Sequence, residues 1–439
     1  MKGWSVMNEN RENFYDLRKD ATYKTSLINE EIYKTLNWNE IENEDNLAKT
    51  GMLVDSQFLV IKGDNPYIPV WDLRSYSFLC SNYIPYTVNP KLWIQGQLNL
   101  NAGLFKVTDN IYQIRGFDLA NMTLIKGNNG WIVVDCLGSR ETAEAALSLA
   151  KDYFGQIQVS AVIITHSHLD HYGGILGVLD NYAKEDTKIY VPKNFVVSAL
   201  EENVNAGVAM ARRGIYMYGV ELLRSEKGQV DNGIGKGTSI GTVTFTQNVI
   251  EIEDQYEKKV VDGIPMEFLL ALNTEAPSEM LLYIPSELSL CIAEDCNATI
   301  HNLLTLRGAK VRDAVAWAES IQNAIDLWGS KLTSAFGVHN WPRFGNQSCV
   351  EYLEKQRDIY QYLNDQTLRL MNKGYTIEEV GRMVKLPDSL KSEWYNGEFY
   401  GTVIHNAKAV YQRYLGWYNG NPIELNKLPF EKSAKKYIE

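Results

Sequence analysis

The chain is poor in the residues that usually tie small or exported proteins together. It has five cysteines in 439 residues: Cys80, Cys136, Cys291, Cys296 and Cys349. They are scattered and odd in number, which fits free thiols in a reducing compartment better than a disulfide framework. No apolar run is long enough to span a bilayer. Residues 1–13 carry an early lysine and then mostly polar and acidic side chains, where an export leader would have an apolar core. The expectation is a cytoplasmic protein with no membrane span. Basic stripes are missing as well, and a formal net charge of -11 excludes a nucleic-acid surface built on phosphate contacts. That acidity does not exclude a small anionic substrate, because a local group of arginines can overrule the global charge. There are only six histidines, so any clustering among them carries information.

What is present is the composition of a soluble globular protein, long enough for two or three domains. Residues 1–100, rich in Asn, Tyr and Pro, read as irregular structure with short helices, a wrap on the main domain. From Gly103 the texture becomes β-like. Short runs at 104–107, 111–115 and 122–126 are separated by Gly, Asp and Asn, as in a meander. The run 131–135 is an apolar strand, 140–153 has helical spacing, and 159–164 is a second apolar strand. This βαβ unit would present ligand-binding residues at the carboxyl ends of its strands. Further strands are expected at 242–245, 264–272, 280–284 and 288–292, followed by an amphipathic helix over 307–328. Two sheets, each followed by helices, predict an αββα sandwich over 101–349. Beyond Cys349 the pattern is helical to the end, at 352–371, 377–383 and 402–418.

The chemistry concentrates in Thr165-His166-Ser167-His168-Leu169-Asp170-His171, which holds three of the six histidines directly after an apolar strand. His166 and His168 lie two apart, so in extended backbone both side chains point the same way and can grip one metal ion. Asp170 and His171 follow at the turn and can grip a second. Imidazole and carboxylate suit zinc in a hydrolytic site, since they leave a coordination position for water. An H-x-H alone would be compatible with a polar loop; the whole H-x-H-x-D-H is far more specific. Gly173 and Gly174 let the backbone pass close by before the next helix.

This motif resembles that of the metallo-β-lactamase superfamily, and the wider chain is similar to its zinc-dependent alkyl sulfatases, the dodecyl sulfate hydrolases. The strings that carry the likeness run from about Asp72 to Pro429. They include Arg115-Gly116-Phe117-Asp118, His166 to Gly174, Thr274-Glu275-Ala276-Pro277, Ala293-Glu294, His301 to Gly308, His339 with Trp341-Pro342-Arg343, and Gly416-Trp417-Tyr418. The resemblance implies two zinc ions per chain. His166, His168 and Glu275 would hold the first, and Asp170, His171 and His339 the second, with Glu294 between them. It also implies catalytic roles for Asp170 and Glu294. Glu279 competes with Glu275, and the Thr-Glu-Ala-Pro string favours Glu275; by itself either glutamate reads as a solvated loop residue. Asn302, Arg307 and Arg312 match the family's sulfate clamp. Paired planar donors suit a sulfate, and both arginines are expected beside a helix start, where anions are favoured.

The implied activity is hydrolysis of an alkyl sulfate ester by water whose pKa zinc lowers towards about 7, with a homodimer formed through the helical region 350–439. Asp135 is expected to support the metal loop, His301 to be either a supporting or a packed histidine, and the glycine-rich 233–241 to be a loop. Two positions depart from the family pattern: Ala298 and Asn340 stand where histidines are usual. Two rivals use the same residues. One is a two-zinc hydrolase of a phosphodiester, thioester or lactam, and the other a catalytically dead binding module.

Overall fold

The computed structural model describes residues 19–439, so the reading of residues 1–13 lies outside the described residues. Two mixed sheets form the frame. The first has the order β1 (Met52–Asp55), β4 (Gly103–Lys106), β5 (Ile111–Arg115), β6 (Met122–Lys126), β7 (Trp131–Val134), β8 (Val159–Ile163), β9 (Ala183–Pro192) and β10 (Ile250–Ile252). A small ribbon, β2 (Val60–Lys62) with β3 (Pro69–Asp72), stands apart from it. Pairing in the large sheet is antiparallel up to β7 and parallel from there on. The second sheet follows chain order: β11 (Tyr256–Val261), β12 (Ile264–Leu270), β13 (Met280–Ile284), β14 (Ser289–Cys291), β15 (Ser334–Phe336) and β16 (Arg343–Phe344).

Side-chain alternation explains why these sheets stack. Ile132 and Val134 of β7 face the second sheet, where they meet Phe268, Leu270, Leu282 and Phe336. Val133, between them, faces outward onto Ala143, Ala146, Leu147 and Ala150 of the helix Arg140–Phe154. The outer face of the second sheet does the same. Leu269, Leu281 and Leu290 pack with Trp317, Ile321 and Trp328 of the helix Ala314–Trp328. The result is the helix–sheet–sheet–helix sandwich that the sequence predicts. The helix Asn346–Met371 continues the outer layer, and residue 349 falls in its first turn. Helices Ile377–Met383 and Val403–Leu415 fold back on it.

Three expectations need correction. The segment before residue 100 is more regular than its composition suggests. It contains helices Tyr23–Lys34 and Trp38–Lys49, and β1 is the edge strand of the main sheet. Glu44 of the second helix accepts from Trp341 Nε1 at 2.8 Å and pairs with Arg343 at 2.6 Å, locking the wrap to the second sheet. The run 242–245 is not a strand: Thr242 O and Thr244 N bond to Arg140 N and Gly173 O instead of to a ladder. The helix expected from 307 begins at Ala314, because Asp313 caps it by accepting from Val315 N and Ala316 N. Arg307 and Arg312 therefore lie in the irregular chain before the helix, and Gly308 there has a φ of +106°.

Candidate metal centre

The metal-side loop is pinned from below. Asp135 follows β7 with a left-handed φ of 60°. Its Oδ1 accepts from Thr165 N and its Oδ2 from Thr165 Oγ1, both at 2.8 Å. Oδ2 also lies 2.8 Å from His171 Nδ1. One buried carboxylate thus fixes both ends of the motif and turns His171 Nε2 toward the site, the support expected of Asp135. At Gly174 a Cβ would come within 2.1 Å of Cys136 O, so only glycine lets the loop lie against the 136–139 backbone.

The second sheet supplies the rest. Glu275 and Glu279 lie on the β12–β13 connection, Glu294 follows β14, and His339 follows β15 with Nδ1 held 3.0 Å from Leu119 O. All seven predicted ligands converge. Donor atoms of His166, His168, Glu275 and Glu294 form one group within 4.8 Å, and those of Asp170, His171 and His339 form another. Glu294 joins them: its Oε2 is 3.3 Å from His166 Nε2 and 3.4 Å from His171 Nε2, and its Oε1 is 3.2 Å from His339 Nε2. Despite these close contacts, the Nε2 atoms of His166, His171 and His339 and Oε2 of Glu275 are buried and make no hydrogen bond of proper geometry. Buried polar atoms left this way are costly unless something else satisfies them. Imidazole and carboxylate donors converging on two points fit divalent cations.

Charge in the cluster is strongly coupled. Burial raises the Glu275 carboxyl, but Arg312 and His168 outweigh it and hold the group down to about 2. Glu294 is likewise driven well below the usual range, because His339 and the other surrounding imidazoles overcome its burial. Glu279 goes the other way: burial, then Asp295 and Glu275, push it well up. It is no solvated loop residue. Its Oε2 accepts from Ala276 N at 3.1 Å and its Oε1 from Glu294 N at 3.1 Å, so it braces the backbone on which both cluster glutamates stand.

Asn302, Arg307 and Arg312 reach the same place from the loop 301–312. Arg312 is 5% exposed. Its Nη2 lies 2.6 Å from Glu275 Oε1, and its Nη1 donates to Asn302 O and Oδ1, both at 2.6 Å, and contacts His301 Nδ1 at 2.9 Å. Asn302 Nδ2 is buried and unpartnered. Arg307 Nη1 lies 2.7 Å from Glu202 Oε1. His301 supports the site directly, with Nε2 3.0 Å from Glu294 Oε1. The two departures touch: Asn340 Oδ1 accepts from Ala298 N at 3.0 Å. His405 stays out of the site, in the first turn of the helix Val403–Leu415, 2.7 Å from Thr402 Oγ1. A cavity of about 430 Å³ opens beside the cluster, lined by His168, Glu275 and Arg312 on one side and by Ala206, Met210 and Val311 on the other.

Sequence reasoning missed Glu202. Burial pushes its carboxyl up, but the charges of His168 and Arg307 outweigh that and keep it well below the carboxylate range. It sits in a stretch with no strand or motif signal, and nothing local marks it.

Comparison with known proteins agrees with this geometry. Residues 115–258 match the metallo-beta-lactamase superfamily, and residues 376–439 match the alkyl sulfatase dimerisation family. A linear primary-alkylsulfatase from Pseudomonas sp. is 44% identical over 424 residues, 96% of this chain and 63% of the relative. An alkyl/aryl-sulfatase from Saccharomyces cerevisiae is 43% identical over 438 residues, 99% of this chain and 67% of the relative. The solved structure of a stereoselective inverting sec-alkylsulfatase from Pseudomonas sp. superposes with a TM-score of 0.91 at 41% identity, covering 96% of this chain and 67% of that one. The chain therefore spans about two thirds of the length of the relatives it matches.

Proposed function

We propose, for a chain that belongs to the alkylsulfatase family of the metallo-β-lactamase superfamily, the hydrolysis of alkyl sulfate esters to an alcohol and inorganic sulfate at a centre of two zinc ions. His166, His168 and Glu275 would hold one ion and Asp170, His171 and His339 the other, with Glu294 between them. When bound, such ions supply Lewis acidity and lower the pKa of water towards about 7. The residues of the chain do the rest. Asn302 offers its free Nδ2 to a sulfate oxygen, and Arg307 and Arg312 balance charge as the ester breaks. The apolar wall of the cavity, around Ala206, Met210 and Val311, excludes water and suits an alkyl group.

The observation that carries the reading is the juxtaposition of the two functions. Arg312 touches Glu275 of the candidate metal cluster at 2.6 Å, Asn302 bonds to Arg312, and Arg307 connects through Glu202 to His168, an arrangement that supports an anion site beside the metal. The test is elemental analysis of chelator-free protein together with turnover of a medium-chain primary alkyl sulfate. About two zinc ions per chain and released sulfate are expected. Metal with turnover of a phosphodiester or thioester, but not of the sulfate ester, would replace the substrate assignment. Metal without any turnover would make the chain a binding module.

The reading includes a homodimer through the helical region. Trp417, Ile423, Phe430 and Ile438 are 80–87% exposed there, within the segment that matches the dimerisation family. Large apolar side chains left exposed along this segment support an interface there. A monomer mass by light scattering would remove it. Among the described residues no helix is long and apolar enough to cross a membrane. Cytoplasmic residence is part of the reading, and recovery of the protein outside the cytoplasm on cell fractionation would overturn it.

A further inference from the structure

Between the helices Phe195–Leu200 and Gly207–Tyr218 the chain makes a single π-helical turn, Glu201–Asn205. Such turns shift the phase of the residues that follow and recur at functional sites. Here two consecutive acids leave the turn in different directions. Glu201 pairs with Lys310 at the surface. Glu202 turns inward, with its side chain 10% exposed, and each of its oxygens has a different partner. Oε2 lies 3.2 Å from His168 Nε2, and Oε1 lies 2.7 Å from Arg307 Nη1. The imidazole of His168 spans the gap, with its other nitrogen, Nδ1, 2.8 Å from Glu275 Oε2 in the metal cluster. Arg213 Nε donates to Leu306 O at 3.0 Å, a second tie between the same helical segment and the 301–312 loop.

We propose that Glu202 is a positioning residue that couples the metal centre to the anion contact, one carboxylate setting both the ring of His168 and the guanidinium of Arg307. A carboxylate that accepts from one imidazole nitrogen fixes the ring and leaves the other nitrogen free as a metal donor. In this site that would leave Nδ1, beside Glu275, as the nitrogen to hold a metal. Arg307 commits Nη1 to Glu202, with further contacts to Gly308 O at 3.3 Å and Met210 Sδ at 3.6 Å, and offers Nε and Nη2 to an incoming anion. Its long side chain is thereby ordered before substrate arrives, which lowers the entropy lost on binding. The identity of that anion as a sulfate ester rests on the function proposed above; the coupling itself rests on the geometry alone.

The test uses the full chain carrying Glu202→Gln, Glu202→Ala, Arg307→Ala and the Glu202→Ala/Arg307→Ala pair. Three quantities are read: metal retained against a competing chelator, KM and kcat for a medium-chain primary alkyl sulfate, and the melting temperature of the metal-free protein. Both Glu202 variants should release metal roughly 10–100-fold more readily, the usual effect of removing a residue that supports a metal-binding histidine. Arg307→Ala alone should not change metal retention. Glu202→Ala should raise KM several-fold more than it lowers kcat, and should raise KM little further when Arg307 is already alanine. Normal metal retention in the Glu202 variants, or KM effects that simply multiply in the pair, would overturn the proposal. So would a lowered melting temperature of the metal-free protein as the sole change. If the unaltered chain turns over no sulfate ester, the sulfatase reading fails on its own. Metal retention and calorimetric binding of inorganic sulfate would still decide the role of Glu202.

Discussion

The loop 165–171 and the loop 301–312 face each other across one cavity, yet they are held in different ways. The first is anchored mainly from the fold beneath it: Asp135 takes the Thr165 N–H and hydroxyl and His171 Nδ1, and Met280 N donates to Thr165 O. His166 and His171 are fully buried. The second depends on side-chain charge. Arg312 is tied to Glu275, Arg307 to Glu202 and Lys310 to Glu201, while Leu306 between them is 60% exposed. The first loop hangs on one buried carboxylate beneath it, the second on several separate ion pairs around it, and that difference can be broken experimentally.

The largest effect is expected where the two halves meet. Glu294→Ala removes the carboxylate that touches His166, His171, His301 and His339. Activity should fall by more than about 100-fold, beyond the usual effect of a residue that only supports a metal donor, with metal lost on elemental analysis. Glu279→Gln, which alters the brace beneath Glu275 and Glu294 and no metal donor, should cost about 1 kcal/mol of stability in denaturant titration and retain metal. Equal loss of activity in the two folded variants would mean that Glu294 holds the centre no more than Glu279 does.

Next in size is Arg312→Ala. The resemblance alone makes Arg312 a substrate contact whose loss spares the metal. In the structure it is half of a buried pair with Glu275, so its removal leaves a buried carboxylate uncompensated. About 3–5 kcal/mol of stability should be lost in the metal-free protein, and metal content should drop as Glu275 shifts. Unchanged denaturation midpoints and full metal would show that the Arg312–Glu275 contact carries no weight.

Arg307→Ala should have the smallest effect of the set on the cluster. Zinc content is expected to stay intact, and kcat/KM for an alkyl sulfate to fall by the equivalent of a charge-assisted hydrogen bond, roughly 1.5–3 kcal/mol. Lysine should rescue poorly, because a point charge cannot give the planar two-oxygen grip. Near-normal kinetics with zinc retained would reduce Arg307 to a strut for Glu202.

Legibility in the sequence divides along the same line as the two loops. The continuous apolar run 131–134 and the spacing in 140–153 mark the βαβ unit, because a strand buried on both faces is apolar throughout and a helix buried on one face imposes a period on nearby residues. The H-x-H-x-D-H pattern is local in the same sense. The run 242–245 has strand-like composition but finds its hydrogen bonds in the 140 and 173 backbone, a partner no local pattern can announce. Apolar spacing extends back past the Asp313 cap and so points to a helix from 307, while the helix starts at 314 and the 303–312 chain is held by ion pairs to distant acids.

By itself, then, the sequence determined the strand and helix periods, the sandwich class and the histidine motif, all of which depend on residues close together along the chain. Tertiary structure decided the roles of the acids. Glu275 and Glu279 lie four residues apart and are both buried, yet the path of the β12–β13 connection turns one to the cluster and the other to the Glu294 backbone. Glu202 reaches His168 from 34 positions away and Arg307 from 105 positions away. A carboxylate's role follows from which charges and donors the packed sheets bring within about 3 Å of it, and residue spacing does not encode that distance.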